Sequence, residues 1–348
     1  MKTAWITALS LLVLGAFAQP AAAQMLINGA GATFPYPIYS KWFDEYTKVD
    51  PEVRFNYQSI GSGGGIKQVT ARTVDFGASD GPMTDAQLKA APSELFHIPT
   101  VLGSVVATYN LPGSPTLKFT GDVLAEIFLG KITKWNDAEI TALNPGVSLP
   151  SESIVVVHRS DGSGTTYIWV DYLSKISPEW EKKVGRGTSV NWPVGLGGKG
   201  NEGVSGQIKN QPGALGYVEL AYAVKNHLPV ASVKNAAGKF VEPSIASTTA
   251  AAAGAAKSMP DDFRVSLTNP PGDEAYPIAS FTWLLVYKDQ PNELKGRALV
   301  RFVWWMSHEG QKYADELLYA PLPPAVVKQI EAKLKHITYQ GKPLLVAR

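Results

Sequence analysis

Apolar positions along this chain switch repeatedly between a period near two and a period near three and a half. Ile38, Tyr39, Trp42, Phe43 and Tyr46 recur at helical spacing behind Pro35 and Pro37, where a helix can start. Val53, Phe55 and Tyr57 then alternate as in a strand. Ser62 to Gly65 reads as a tight turn, and Ile66 to Arg72 as a helix. Val74 to Ala78 reads as a short buried strand ending at Ser79-Asp80, followed by a helix with Thr84 and Gln87 at capping-box spacing. Leu95 to Tyr109 has a long β character. Asp122 to Leu129 is helical and stops at Gly130, and Asn136 with Glu139 predicts a further capping box.

The second half continues the alternation. Ile154 to Val157 is an apolar strand, Arg159 to Gly164 a polar turn, and Thr165 to Ile176 a helix with an aromatic face. Ser177-Pro178 opens the next helix. Gly195 to Gly203 reads as a Gly-rich turn before a helix, and Ala250 to Ala256 as a surface helix and its end. Tyr276 to Tyr287 is strand-like, and helices over Glu293–Ser307 and Ala325–Lys335 close the chain. Strands alternating with helices predict the α/β class. Pairing of the strand near Phe281–Tyr287 with that near Ser104–Tyr109 would return the C-terminal part to the first domain. The expected division is lobe I from 24–107 plus 281–348 and lobe II from 108–280, with two crossing segments and a cleft between them.

Composition narrows the classes. Of 348 residues, 45% are hydrophobic and 18% charged, enough for two buried cores and too apolar for disorder. Net charge is +2 with no long basic run, which argues against a nucleic-acid partner. Cysteine is absent, excluding disulfides, zinc–thiolate sites and a thiol nucleophile. The five His are scattered without metal-ligand spacing, and most of the nine Trp, including Trp42, Trp304 and Trp305, read as core. No metal or cofactor is expected. Gly195, Gly197 and Gly200 fit GxGxxG, but they lie mid-chain. Lys2, the apolar stretch Ala4–Ala18 and Ala21-Ala22-Ala23 read as a signal peptide over residues 1–23. The mature chain is therefore expected outside the cytoplasm, with no membrane span.

One local pattern carries candidate chemistry. A strand ends in small residues and a helix begins at Gly31-Ala32-Thr33-Phe34, Gly61-Ser62-Gly63-Gly64, Ala78-Ser79-Asp80 and Asp161-Gly162-Ser163-Gly164-Thr165. Helix N-termini expose unpaired N–H groups and a partial positive charge, and Ser and Thr add hydroxyl donors. If these turns face one cleft, they enclose a tetrahedral anion without a metal. Taken singly, each is an ordinary cap or turn. Arg159 reads either as a surface charge or as a fork-shaped donor to two oxygens. Asp161 either orients Arg159 or caps the following helix. Asp80 is the odd member, because a carboxylate repels anions. It has a use if the anion carries a proton, since an ionised carboxylate accepts that hydrogen bond. Monohydrogen phosphate has such a proton (a phosphate ester's second pKa is about 6), whereas sulfate does not.

The runs GAGATFP, IGSGGGIKQ, VDFGASD, GKITKWND, RSDGSGTT, WPVGLGGKGNEGV and PGALGYVE, in this order, resemble the periplasmic phosphate-binding proteins of phosphate ABC transporters. The resemblance runs from about Ile27 to the C-terminus. It implies a type II periplasmic-binding-protein fold with the ligand in an interlobe cleft. It implies phosphate contacts through Thr33, Phe34, Ser62 and Asp80 on one lobe and Arg159, Ser163, Gly164 and Thr165 on the other. Phe34 and Gly164 would act through backbone N–H groups, and Asp161 would pair with Arg159. It further implies permease subunits at the inner membrane as partners, a monomer, and no catalysis. Gly63 departs from the family pattern, where Ser is common. The rival classes are a secreted phosphohydrolase using Ser163 or Asp80, the same scaffold with sulfate or molybdate, and a surface adhesion or phosphate-sensing role.

Overall fold

The computed structural model describes residues 24–255 and 259–345. The expected signal peptide lies outside the described residues. The first elements are β1 (Met25–Gly31), α1 (Tyr36–Val49), β2 (Val53–Ser59), α2 (Ser62–Thr70), β3 (Phe76–Ser79), α3 (Asp85–Ala90) and β4 (Leu95–Tyr109). There follow β5 (Lys118–Phe119), α4 (Gly121–Phe128), α5 (Ala138–Leu143), β6 (Val155–Arg159), α6 (Gly164–Ile176) and α7 (Pro178–Lys183). Next come β7 (Leu196–Gly198), α8 (Gly200–Asn210), β8 (Ala214–Glu219), α9 (Leu220–Lys225), β9 (Ser232–Lys234), β10 (Phe240–Val241) and α10 (Ile245–Ala252). The chain closes with β11 (Leu267–Thr268), β12 (Ile278–Tyr287), α11 (Glu293–Ser307), α12 (Pro324–Leu334), β13 (Thr338–Tyr339) and β14 (Lys342–Pro343).

Among the described residues the main sheet has nine strands, in the order β2-β1-β3-β12-β4-β8-β6-β7, with β11 beside β12. β1 runs parallel to β2 and β3, and β6 runs parallel to β7 and β8. The C-terminal ends of each parallel group therefore share an edge, and the following helices start there. The long strand β4 belongs to both groups. Its first part pairs antiparallel with β12, from Leu95↔Tyr287 to Ser104↔Ala279. Its second part pairs antiparallel with β8, from Val105↔Glu219 to Tyr109↔Leu215. The expected pairing of Phe281–Tyr287 with Ser104–Tyr109 is displaced along β4: Phe281–Tyr287 pairs with Leu95–Leu102. An antiparallel register from Ala279 to Tyr287 runs back towards Leu95, so that partner is the earlier half of β4.

Two groups of aromatic side chains lie within one large core. Phe302 of α11 lies 4.3 Å from Phe55 between ring centroids, with Tyr46, Trp305 and Phe43 around them. Trp169 stacks on Tyr217 at 5.1 Å and 11°, and Trp192 stacks on Tyr217 and His158. Trp42 and Trp305 are core as expected, whereas Trp304 is half-buried and stacked on His308. Among the described residues no cluster of His and carboxylates could hold a metal, and no helix is long and apolar enough to cross a membrane.

Local signals hold where they involve few partners. The Thr84/Gln87 capping box forms, α7 opens at Ser177-Pro178 with Ser177 as its cap, and α11 has the expected bounds. The Asn136/Glu139 box does not form; Asp137 caps α5 by accepting from the Glu139 N–H at 2.9 Å. The Asp137 side chain, one residue on, places an acidic group at the helix N-terminus, where the backbone dipoles favour it. Gly195–Gly203 is not one turn. Leu196–Gly198 pairs with β6, and α8 starts at Gly200. The Ala-rich helix α10 starts earlier, at Ile245, and buries Ala251 and Ala252.

The largest local revision is α2, which begins at Ser62 and draws Gly63, Gly64 and Gly65 into its first turn. Propensity speaks against three glycines there. Close packing overrides it, because a Cβ on Gly65 would lie 2.6 Å from the Gly31 Cα and 2.7 Å from the Ala30 and Ala78 carbonyl oxygens. Gly65→Ala should therefore cost about 1–3 kcal/mol through overpacking, despite alanine's better helix propensity. Urea unfolding midpoints check this, and an unchanged or raised midpoint would show that α2 can move away from the sheet.

Candidate functional site

The parallel strands β1, β2 and β3 deliver Thr33-Phe34, Ser62 and Asp80 to one edge, and β6 delivers Arg159 opposite them. All are shut from solvent: Ser62, Ser163 and Thr165 fully, and Thr33, Asp80 and Arg159 to within a few per cent. Burying this many polar groups is costly unless each is paired, so their bonds define the site.

Ser62 and Asp80 form the first knot. The Ser62 hydroxyl accepts the Asp80 N–H at 3.2 Å and lies 3.4 Å from Asp80 Oδ2. It also accepts the Gly164 N–H at 3.0 Å, from a residue 102 positions later. Thr282 of β12 donates to Asp80 Oδ1 at 2.8 Å. Burial pushes the Asp80 carboxyl up to about 7, against hydrogen bonds from Thr282, the charge of Arg159 and the hydroxyl of Ser62. Gly164 touches this pair without any side chain of its own. A Cβ there would stand 2.5 Å from Ser62 Oγ and 2.6 Å from Asp80 Cβ.

Arg159 forms the second knot. Its Nε donates to Asp161 Oδ1 at 2.8 Å and its Nη2 to Oδ2, the bidentate pairing that fixes a guanidinium plane. Nη1 is left to face Thr165 Oγ1 at 3.3 Å. Burial pushes the Asp161 carboxyl up, but Arg159 and the Gly200 N–H outweigh it and hold it below the usual carboxylate value. Of the two uses open to Asp161 in the sequence, the observed one is the Arg159 pair; Ser163 caps α6, accepting the Thr166 N–H at 3.0 Å.

Asn201 joins the two sides. Its amide donates to Thr33 Oγ1 at 2.7 Å and to Thr165 Oγ1 at 3.1 Å, and its carbonyl accepts the Glu219 N–H at 2.9 Å. Sequence reasoning missed Asn201 and Thr282. Asn201 lies in the WPVGLGGKGNEGV run, within the stretch Gly195–Gly203 whose glycines predict a turn. Thr282 sits in a mostly apolar strand that also carries Ser280, and nothing local marks it out. Phe34 contributes no polar side chain. Its ring is fully buried against Gly103 and Tyr319, so only its backbone is free to serve the site. Gly63 donates its N–H to the Gly162 carbonyl at 2.8 Å, and a Cβ on it would reach the Gly162 Cα at 3.0 Å. A serine at Gly63 therefore needs the facing turn to give slightly.

The arrangement offers hydroxyls, helix-start N–H groups and one oriented guanidinium to a small anion. Asp80 is an acidic group among these donors, and burial raises its ionisation to about 7. A two-sided α/β sheet with donors meeting from both strand groups defines a type II solute-binding fold. A family model for the PBP superfamily domain matches residues 18–317. The chain is 49% identical over 310 residues to the phosphate-binding protein PstS of Xylella fastidiosa, covering 88% of this chain and 84% of that one. It is 48% identical over 320 residues to PstS of Haemophilus influenzae, covering 91% and 94%. This chain belongs to the PBP superfamily and, within it, to the PstS phosphate-binding proteins. Solved structures share the fold. The high-affinity periplasmic phosphate-binding protein PfluDING gives a TM-score of 0.71 at 23% identity, covering 88% and 93%. A phosphate-binding protein from Stenotrophomonas maltophilia gives 0.69 at 20%, covering 92% and 96%.

Proposed function

We propose that this chain captures inorganic phosphate in the periplasm and delivers it to the permease of an ABC importer at the inner membrane. The observation that carries the reading is Asp80, a buried carboxylate set directly beside anion-binding donors. That placement favours an oxyanion that brings its own proton. The ligand contacts are Thr33, Phe34, Ser62, Asp80, Arg159, Ser163, Gly164 and Thr165, with Asp161 orienting Arg159. The lobes divide as 24–107 plus 281–348 against 108–280. The change of partner within β4, between Ser104 and Val105, supports that division. The chain acts as a monomer, reaches the periplasm by cleavage near Ala23, and binds without turnover. Support for the last point comes from Ser163, whose hydroxyl caps α6 and, among the described residues, is hydrogen-bonded to no His or carboxylate that could act as its base.

Calorimetric titration of residues 24–348, stripped of phosphate, tests the reading. Stoichiometric binding that persists in excess sulfate is the expected result, with a more compact scattering profile once phosphate is bound. Binding abolished by sulfate would reassign the ligand, and hydrolysis of a phosphomonoester would favour an enzyme.

A further inference from the structure

Three consecutive carbonyls of the β1–α1 loop each accept a tyrosine hydroxyl, and the three tyrosines come from distant parts of the chain. Tyr57 donates to the Ala32 oxygen at 2.7 Å, Tyr222 to the Thr33 oxygen at 2.6 Å, and Tyr319 to the Phe34 oxygen at 2.6 Å. Carbonyls only accept, so the phenols must donate. Tyr222 also lies 3.1 Å from a Glu202 carboxylate oxygen. Two oxygens at 2.6 Å need the hydrogen between them, so its single proton belongs to Thr33. Burial pushes all three phenols up, and they keep their protons at any working pH.

A peptide unit is planar and trans, so fixing a carbonyl fixes the N–H of the next residue in the opposite direction. Tyr57 therefore sets the Thr33 N–H, and Tyr222 sets the Phe34 N–H. Donation to a carbonyl also polarises its peptide and strengthens the N–H as a donor. Tyr319 differs. The residue after Phe34 is Pro35, which has no N–H, so this bond holds the chain at the start of α1 and orients no donor. We propose that Tyr57 and Tyr222 are positioning residues of the anion site, aiming the Thr33 and Phe34 N–H groups at the ligand. This rests on the phosphate-binding reading above. Tyr222 lies on α9, in the lobe that carries Arg159, while the loop it holds lies in the other. Closing the lobes thus brings the guanidinium to the anion and the Tyr222 hydroxyl to the loop together.

The test compares Tyr222→Phe, Tyr57→Phe and Tyr319→Phe with the parent chain, using inorganic phosphate as probe. Each variant removes one hydroxyl and keeps the ring. Tyr222→Phe should weaken phosphate binding about three- to tenfold, mostly through faster dissociation; the Tyr36 N–H, which also reaches the Thr33 oxygen at 3.2 Å, retains part of the orientation. In ¹⁵N-resolved spectra the phosphate-induced shift of the Phe34 amide should shrink in Tyr222→Phe, and that of the Thr33 amide in Tyr57→Phe. Tyr319→Phe should lower the melting temperature but leave both amide shifts as in the parent. Unchanged affinity and an unchanged Phe34 shift in Tyr222→Phe would overturn the inference. So would an equal loss of affinity in Tyr319→Phe, which would mark the effect as general packing. A parent chain that takes up no phosphate would overturn the phosphate reading and this inference with it.

Discussion

Asp80→Asn should collapse the preference for phosphate over sulfate by roughly 30-fold or more, which corresponds to about 2 kcal/mol. In the parent, an ionised Asp80 meets sulfate with no hydrogen between the two oxygens, and like charges face each other in a buried site. An amide can turn its NH₂ towards sulfate and its carbonyl towards a phosphate hydroxyl, so the penalty disappears. The same chemistry gives the parent a pH dependence. Burial raises Asp80 to about 7, so it is ionised above that pH and protonated below it. A protonated carboxyl donates, and sulfate should therefore compete better as pH falls through 7, by up to about tenfold per unit. Asp80→Asn should remove that slope. Competition titrations at pH 5.5, 7 and 8.5 decide the matter, and a parent with a flat sulfate profile would refute the proton-acceptor role. Stability follows the same sign. A carboxyl whose pKa is raised from 3.8 to about 7 by folding stabilises the native state least above pH 7, so Asp80→Asn should melt higher than the parent at pH 8 and about equally at pH 3.

Gly164→Ala should weaken phosphate binding about 100-fold or more while leaving the fold intact. Gly164 is the first residue of α6 and has no left-handed backbone, so alanine is conformationally welcome there. The obstacle lies across the cleft. The new methyl would meet Ser62 Oγ at 2.5 Å and Asp80 Cβ and Oδ2 at 2.6 Å. None of these is the loose end of a long side chain. Relief requires the two strand groups to separate, which withdraws the Gly164 N–H and Arg159 from the Ser62–Asp80 side together. Titration and thermal melting distinguish the outcomes. Affinity within tenfold of the parent would mean that the two sides need not approach this closely, and a large drop in melting temperature would mean that the damage is to α6 itself.

The two substitutions draw on different kinds of information. Asp80 stood out in the sequence because a carboxylate among Ser, Gly and Thr at a strand end contradicts simple anion binding, and contradiction is visible in a string. The raised ionisation near 7 is not visible there, because it comes from burial, and the groups packed around the carboxyl, Thr282 and Gly164 among them, are remote in sequence. Gly164 was legible as a helix-start donor, but its contact with Asp80 was not. Arg159 and Asp161 are two residues apart, so their pairing lay within reach of sequence reading. Asn201 bridges Thr33 and Thr165 over 168 and 36 positions, and no local rule points to it.

By itself the sequence determined what short-range chemistry governs. Alternation and capping residues set the α/β order, the 15-residue strand β4, the C-terminal end of α6, the start of α7 and the bounds of α11. Each depends on neighbours within a helical turn or a strand pleat, where dihedral preferences and side-chain caps act directly. Tertiary structure alone decided the rest. It made the start of α2 helical through three glycines, because Gly65 lies against Gly31 and Ala78. It split β4 between β12 and β8, because an antiparallel register follows from the whole length of both partners. It placed Tyr222, Asn201 and Thr282 at the site from hundreds of atoms away along the chain. Hydrogen bonding is short-ranged in space and indifferent to sequence distance, so the partners that fix a buried donor appear only once the chain has folded.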